Sequence, residues 1–131
     1  MRLNMQALRF IAVGCLAAAV HWLTVVTLVE QAALRPLLAN LFGWLVALGV
    51  SFAGHHHLTF RGHGTPLRHS MPRFVALSAT GFLINETTFA ASLHWSTLGY
   101  RILLTGVLVL VAGMTWALSR LWVFRGNPAR A

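Results

Sequence analysis

The sequence predicts an all-α membrane protein: four transmembrane helices built from two parallel two-helix repeats, with both termini in the cytoplasm. Three observations carry this. The 131 residues are 57% hydrophobic and 9% charged, where a soluble domain of this size carries about 25% charged residues. Four apolar stretches, at roughly 10–29, 37–54, 74–93 and 101–119, each approach the ~20 residues that a helix needs to cross a ~30 Å hydrocarbon core. Finally, the chain overlays itself without gaps at a shift of 64 residues: Arg9-Phe10-x-Ala12 falls on Arg73-Phe74-x-Ala76, and Phe60-Arg61-Gly62 on Phe124-Arg125-Gly126. Between these ends Thr24 meets Thr88, Leu34 meets Leu98, Gly49 meets Gly113 and Ala53 meets Ala117. A fixed-period match of this kind reads as a duplicated unit. The single transmembrane domain, 1–131, then divides into repeat one, about 8–62, and repeat two, about 72–126. Each unit crosses the membrane twice, so the second enters from the same side as the first, and the units are related by an axis along the membrane normal.

The elements follow in order. Helix one is expected over 8–29; it resembles a signal peptide, but its repeat partner at 74–93 is internal, so it is read as a retained span. A short outer loop covers 30–35, and Pro36 suits the first turn of helix two, expected to reach residue 58. Residues 61–72, rich in Gly, Pro, His and Arg, form the loop between the repeats. Helix three is expected over 73–93, a second outer loop over 94–99, and helix four to residue 123, followed by a short tail. Cys15 is the only cysteine, which excludes an internal disulfide.

The net charge of +8 comes from ten arginines and no lysine. Eight of them (Arg2, Arg9, Arg61, Arg68, Arg73, Arg120, Arg125 and Arg130) flank one side of the spans and two, Arg35 and Arg101, flank the other near Glu30. This bias places both termini and the central loop in the cytoplasm of a multi-pass cytoplasmic membrane protein. Trp95 and Tyr100 fall at the outer interface and Trp122 at the inner one. Nucleic-acid binding is excluded, because no soluble basic and aromatic surface exists to carry it.

Candidate functional residues lie on the inner faces. Ser78, Gly81, Asn85, Thr88 and Ser92 share one face of helix three, and Gly14, Ala17, His21 and Thr24 form the equivalent face of helix one. These faces fit helix packing through small residues and hydroxyls, or a polar seam that admits a head group. His21 and Asn85 each lie about 18 Å along their helices from Arg9 and Arg73, at ~1.5 Å per residue, a depth at which polar side chains face protein or water. Glu86 is the one carboxylate deep in the bilayer. It leaves the seam and is expected to pair with His21 or a threonine, as a substrate or proton group or as a structural hydrogen bond. Gly43, Ala47 and Ser51 make a packing stripe on helix two, with a shorter version, Gly113 and Ala117, on helix four. Asn40 is placed near the outer end of helix two, as a cap or a binding group there. His55, His56 and His57 point about 100° apart on a regular helix, so they cannot share one metal. Together with Arg9, Arg61, Arg73, Arg120 and Arg125 they form a cationic rim, read as topology and anionic-lipid contact or as a phosphate-capturing surface built on the guanidinium fork. With two acids in the chain, no Ser–His–Asp set, no paired carboxylates and no phosphate loop, no enzyme activity, metal or cofactor is expected.

Arg9-Phe10-Ile11-Ala12-Val13-Gly14, Thr59-Phe60-Arg61, Arg73-Phe74 and Ser119-Arg120-Leu121-Trp122-Val123-Phe124, in this order across four spans, resemble the GtrA-like family over nearly the whole chain. The family usually ends helix two on Asn-Arg/Lys-x-Trp-x-Phe, whereas this chain has His55-His56-His57-Leu58-Thr59-Phe60. The resemblance implies a role in cell-surface polysaccharide synthesis: flipping a polyprenyl-phosphate-linked sugar across the cytoplasmic membrane. Arg9, His21, Arg61, Arg73, Asn85, Glu86, Arg120 and Arg125 are then the expected substrate-binding set. Expected partners are the lipid-linked sugar, membrane lipids, a membrane glycosyltransferase and a second copy of the chain. Two other readings stay open: a non-transporting anchor that recruits a glycosyltransferase, and a small proton-coupled exporter of cationic compounds.

Overall fold

A computed structural model describes residues 2–59 and 67–124. It is helical throughout these residues: α1 (Arg2–Ala32), α2 (Pro36–Gly54) continued by a π-helical turn (His55–Thr59), α3 (Leu67–Trp95) and α4 (Tyr100–Phe124). Three segments, Ala7–Ala32, Pro36–Leu58 and Met71–Trp95, are long and apolar enough to cross a membrane, and α4 carries a shorter apolar stretch, Tyr100–Thr115. The helices extend beyond the expected bounds at both ends of α1. Residues 67–72, expected in the central loop, instead form the start of α3, with Pro72 inside the helix. As the sixth residue of α3, Pro72 lies past the first turn and leaves the carbonyl four residues before it without that backbone hydrogen bond.

The turn between α1 and α2 is tight. Ala33 takes a left-handed conformation with φ 52°, and the Leu34 N–H donates back to the Leu28 carbonyl at 3.1 Å. The chain thus folds back along α1, and α2 begins beside its final turns. Pro36 occupies the first turn of α2, where its missing N–H costs nothing. The resulting hairpin is close-packed. Val13, Ala17, His21 and Val25 form the buried stripe of α1, and Ala39, Asn40, Gly43 and Ala47 that of α2. A Cβ built on Gly43 would lie 2.7 Å from Val25 Cγ2, 2.8 Å from His21 Cδ2 and 3.0 Å from the His21 carbonyl oxygen. A Cβ on Gly54 would meet Val13 Cγ1 at 2.7 Å. The expected stripe on α2 is therefore a true packing seam. Its expected counterpart on α4 is not: Gly113 is exposed, with no atom near its missing side chain. Gly14 likewise faces outward, and Val13 takes its place in the α1 interface.

The helices form a ring in which α1 packs on α2 and α4, and α3 on α2 and α4. The apolar core sits at the end carrying the two short turns. There Val25, Ala39, Phe89 and Leu104 are fully buried, joined by Val107 and by partners such as Leu28, Leu37 and Leu93. On the rim of this end, Glu30 of α1 accepts hydrogen bonds from Tyr100 Oη (2.8 Å) and Arg101 Nε (2.7 Å) of α4 and forms an ion pair with the Arg101 guanidinium. Leu8, Ile11, Leu23, Leu77, Leu83 and Val109 stay exposed, as lipid-facing side chains of a bundle must. Trp95, 81% exposed at the end of α3, stands where an interfacial tryptophan belongs.

Two glycine variants separate close approach from mere permissiveness. Gly43→Ala should destabilise the protein by about 1–3 kcal/mol through overpacking. Gly49→Ala, with open space at its Cβ, should be neutral or stabilising by about 0.5–1 kcal/mol. At the turn, Ala33→Gly should raise stability by about 1 kcal/mol, because the left-handed conformation then carries no Cβ clash. Unfolding in detergent micelles measures all three; a Gly43→Ala protein as stable as Gly49→Ala would contradict the packing described.

Candidate functional site

At mid-depth the bundle holds a buried polar layer organised by one side chain. Asn40 is fully buried on α2. Its carboxamide nitrogen donates to Asn85 Oδ1 at 2.8 Å and to Glu86 Oε2 at 2.5 Å, both on α3. Its oxygen lies 2.7 Å from His21 Nε2 on α1. An amide oxygen only accepts, so His21 carries a proton on Nε2, and in the neutral imidazole Nδ1 is the acceptor. Asn40 thereby uses both N–H groups and its carbonyl, and ties three helices together.

Of the expected substrate-binding residues, His21, Asn85 and Glu86 meet here. Glu86 bonds Asn40, not His21 or a threonine as the sequence suggested, because α2 comes between α1 and α3. Asn40 lies, as expected, near the outer end of α2, and the fold-back at Ala33 brings it within hydrogen-bond reach of His21. Spacing alone gave no sign of this partnership. One signal was available: a buried-depth histidine, asparagine and glutamate on two helices require partners, and Asn40 is the carboxamide that α2 offers.

Other members of the expected seam turn inward on their own helices. The hydroxyls of Thr24, Thr88 and Ser92 donate to the carbonyls of Val20, Ile84 and Thr88, one turn back. Ser78 differs: its Oγ accepts from Trp44 Nε1 of α2 at 2.9 Å, leaving its own proton to donate. Ser78 and Asn85 also line a groove of about 300 Å³ between α2, α3 and α4. Gly81 and Thr115 line it too, Trp44 and Phe82 stack at 4.7 Å along it, and His21 closes its deep end. The groove occupies the half of the bundle that carries the termini, opposite the apolar core.

The expected cationic residues stand apart from this layer. Arg9 is exposed near the start of α1, and its guanidinium reaches the Leu58 carbonyl at 3.4 Å. Arg73 is exposed near the start of α3. Arg61 and Arg125 lie outside the described residues, as does the Arg120 side chain. The two phenylalanines that follow Arg9 and Arg73 converge: Phe10 stacks on the His55 ring at 4.7 Å, and Phe74 meets the same ring edge-on at 6.0 Å. His55 is buried by this contact, while His56 and His57 remain exposed. The three histidines therefore do not act as one group; His55 packs between Phe10 and Phe74.

The layer makes a direct stability prediction. Interhelical hydrogen bonds within membranes average ~0.6 kcal/mol. Asn40→Leu, which breaks three, should cost about 2 kcal/mol, and Asn85→Leu, which breaks one, only ~0.6 kcal/mol. Unfolding in bicelles measures the difference, and equal losses would show that Asn40 is not the hub.

The family model for the GtrA/DPMS transmembrane domain matches residues 9–124. No curated protein and no solved structure matches the chain. The match covers all four helices, including the polar layer and the groove. The chain is thus a multi-pass membrane protein of polysaccharide and glycan synthesis, and belongs to the GtrA/DPMS transmembrane-domain family.

Proposed function

We propose that the protein moves a polyprenyl-phosphate-linked sugar across the cytoplasmic membrane. The observation that carries this reading is the groove: it lies between helices, is open along its side, and ends at depth on the polar atoms of His21 and Asn85. Such a cleft suits a molecule that stays in lipid by its tail while its head seeks polar contacts. The arginine bias sets the groove's half toward the cytoplasm, where glycosyl carriers are loaded. Arg9 and Arg73, exposed at the ends of α1 and α3 on that side, gather the phosphate. The opposite half, with its apolar core and the Glu30–Arg101 contact, holds the outer side shut in this arrangement. The protein then acts as a carrier and not as an enzyme. An exporter reading is less well supported, because Glu86 is engaged by Asn40 and does not line the groove.

Reconstitution into sealed liposomes containing a polyprenyl-phosphate hexose tests this. The sugar should become accessible to a membrane-impermeant oxidant faster than in protein-free liposomes. Asn40→Leu should slow that exposure about tenfold, the effect of ~1.4 kcal/mol on a barrier. Replacing Arg9 and Arg73 together by Gln should weaken the dependence on carrier concentration while leaving the fold intact. Folded protein that exposes sugar no faster than empty liposomes would overturn the proposal.

A further inference from the structure

The two carboxylates of the chain stand in opposite surroundings. Glu30, on the outer rim, is met by Tyr100 and by the Arg101 guanidinium. Glu86 lies within the Met71–Trp95 span, and among the described residues no ion pair reaches it. A charge at such depth without a counter-ion is costly, and intramembrane carboxylates of this kind mark proton paths. Glu86 Oε2 accepts one hydrogen bond, from Asn40 at 2.5 Å. A carboxylate has about four acceptor positions, so most of this one's capacity is unused. Oε1 has no partner among the described residues, where no side-chain oxygen is both unpartnered and fully enclosed, so Oε1 is open to an incoming proton. Glu86 also stands outside the groove, whose lining includes Asn85 and His21. Asn40 joins the two places: one N–H goes to Glu86, the other to Asn85, and its oxygen accepts from His21. The charge on Glu86 therefore bears on the deep end of the groove through a single carboxamide.

We propose that Glu86 is an exchangeable proton site, and that its occupancy sets the strength of the α2–α3 seam beside the groove. The inference rests on the carrier reading above and adds a coupling ion to it. In the step itself, a proton from water adds to a Glu86 carboxylate oxygen, an O–H bond forms, and the layer loses its negative charge; release to water reverses this. A hydrogen bond to an ionised acceptor is roughly twice as strong as one between neutral groups. With the proton on Oε1, the Asn40 bond to Oε2 loses that assistance. With the proton on Oε2, that oxygen turns donor and the Asn40 N–H loses its acceptor. Either way the hold of α2 on α3 weakens. The other side-chain hydrogen bonds across this seam are Asn40 to Asn85 and Trp44 to Ser78, and the groove lies along it. His21 donates its Nε2 proton to Asn40 in both states and keeps its charge.

Other titratable groups stand off. On α3, Arg73 and His94 are about 20 and 12 Å along the helix from Glu86, and His69 is farther; on α2, His55 is about 22 Å from Asn40, at ~1.5 Å per residue. On α1, His21 is joined through Asn40, Cys15 is exposed, Arg9 reaches the Leu58 carbonyl, and Glu30 is held by Tyr100 and Arg101 of α4.

The test uses the full-length protein in liposomes and two measurements. The first is infrared absorption, because a carboxylic acid shows a C=O stretch that a carboxylate lacks. The chain has two acidic side chains, so in Glu30→Gln any side-chain carboxyl band belongs to Glu86, which is itself left untouched. That band should grow as the pH falls, along a single-site curve, and should be missing from Glu86→Gln. The second is exposure of a polyprenyl-phosphate hexose to a membrane-impermeant oxidant at equal inner and outer pH, normalised to permeabilised liposomes. The wild-type rate should change about fivefold or more across the pH range in which the band titrates, the effect of weakening one charge-assisted bond. Glu86→Gln keeps an oxygen to accept from Asn40, and should fold and hold one rate across that range; a pH dependence arising from a histidine would persist in it. A Glu86 band that stays constant wherever the protein is folded would overturn the proposal. So would a wild-type rate that ignores the titration, or a pH dependence that Glu86→Gln retains. The two readings fail separately: a titrating band with no transport at any pH would overturn translocation but keep the proton site, and transport with a band that does not titrate would do the reverse.

Discussion

The Asn40 carboxamide is the constraint on which the rest of the bundle depends. In lipid, apolar side chains gain little by meeting one another, so helices associate through close packing and polar bonds. Within the first hairpin, packing suffices: Gly43 and Gly54 bring α1 and α2 into near-backbone contact. Between the hairpins the interfaces are looser, and hydrogen bonds join them: Asn40 to Asn85 and Glu86, Trp44 to Ser78, Trp22 to Thr105, and Tyr100 and Arg101 to Glu30. Of these, only the Asn40 bonds are also coupled to the first hairpin's own interface, through His21. The contact that closes α1 onto α2 is therefore continuous with the one that holds α3.

The same bonds divide the molecule along its length. Beyond the polar layer, toward the short turns, side chains interlock around Phe89 and Leu104 with no exposed surface. On the other side of the layer, α2, α3 and α4 diverge around the groove, and Trp44 is held back against α3 by Ser78 and Phe82. The layer is thus both the floor of the open half and the lid of the packed half. A change in its bonding would act on both at once, as the proposed carrier would need.

The spans were legible because burial in lipid leaves no doubt in composition, and His21 and Asn85 stood out because polar groups at their depth need a reason. Asn40 lies near the start of α2 as expected, but its partners were hidden for a local cause. Counting from Pro36 puts it near the membrane surface, but α1 runs on to Ala32, and the left-handed Ala33 returns the chain toward Leu28. A non-glycine residue at positive φ leaves little trace in a sequence, so the depth of α2 relative to α1 could not be counted. The faces of Gly14 and Gly113 were misassigned because a small residue signals permission for close approach, not its occurrence. Only the partner helix decides, and Val13 supplies the contact on α1. The fate of the seam hydroxyls was equally hidden: a helical threonine can bond its neighbour or its own helix, and Thr24 and Thr88 do the latter.

At a spacing of 64 residues, the two seams of the ring carry different side chains. Residues 64 apart share burial where the halves meet: Val25 and Phe89 are both fully enclosed, and His21 and Asn85 are both buried. Asn40, however, corresponds to Leu104, and Glu86 to Trp22. On the α2–α3 side, the register places a carboxamide opposite a carboxylate and a second amide. On the α1–α4 side, it places a leucine and an indole, whose N–H goes to Thr105 at 3.1 Å. The first pairing needs polar surroundings and sits beside the groove; the second fills its interface with hydrocarbon and a single bond, and Glu30 with Arg101 clamps its end. Among the many positions at which the two halves differ, Asn40 against Leu104 and Glu86 against Trp22 go with a polar pocket on one seam and a closed joint on the other.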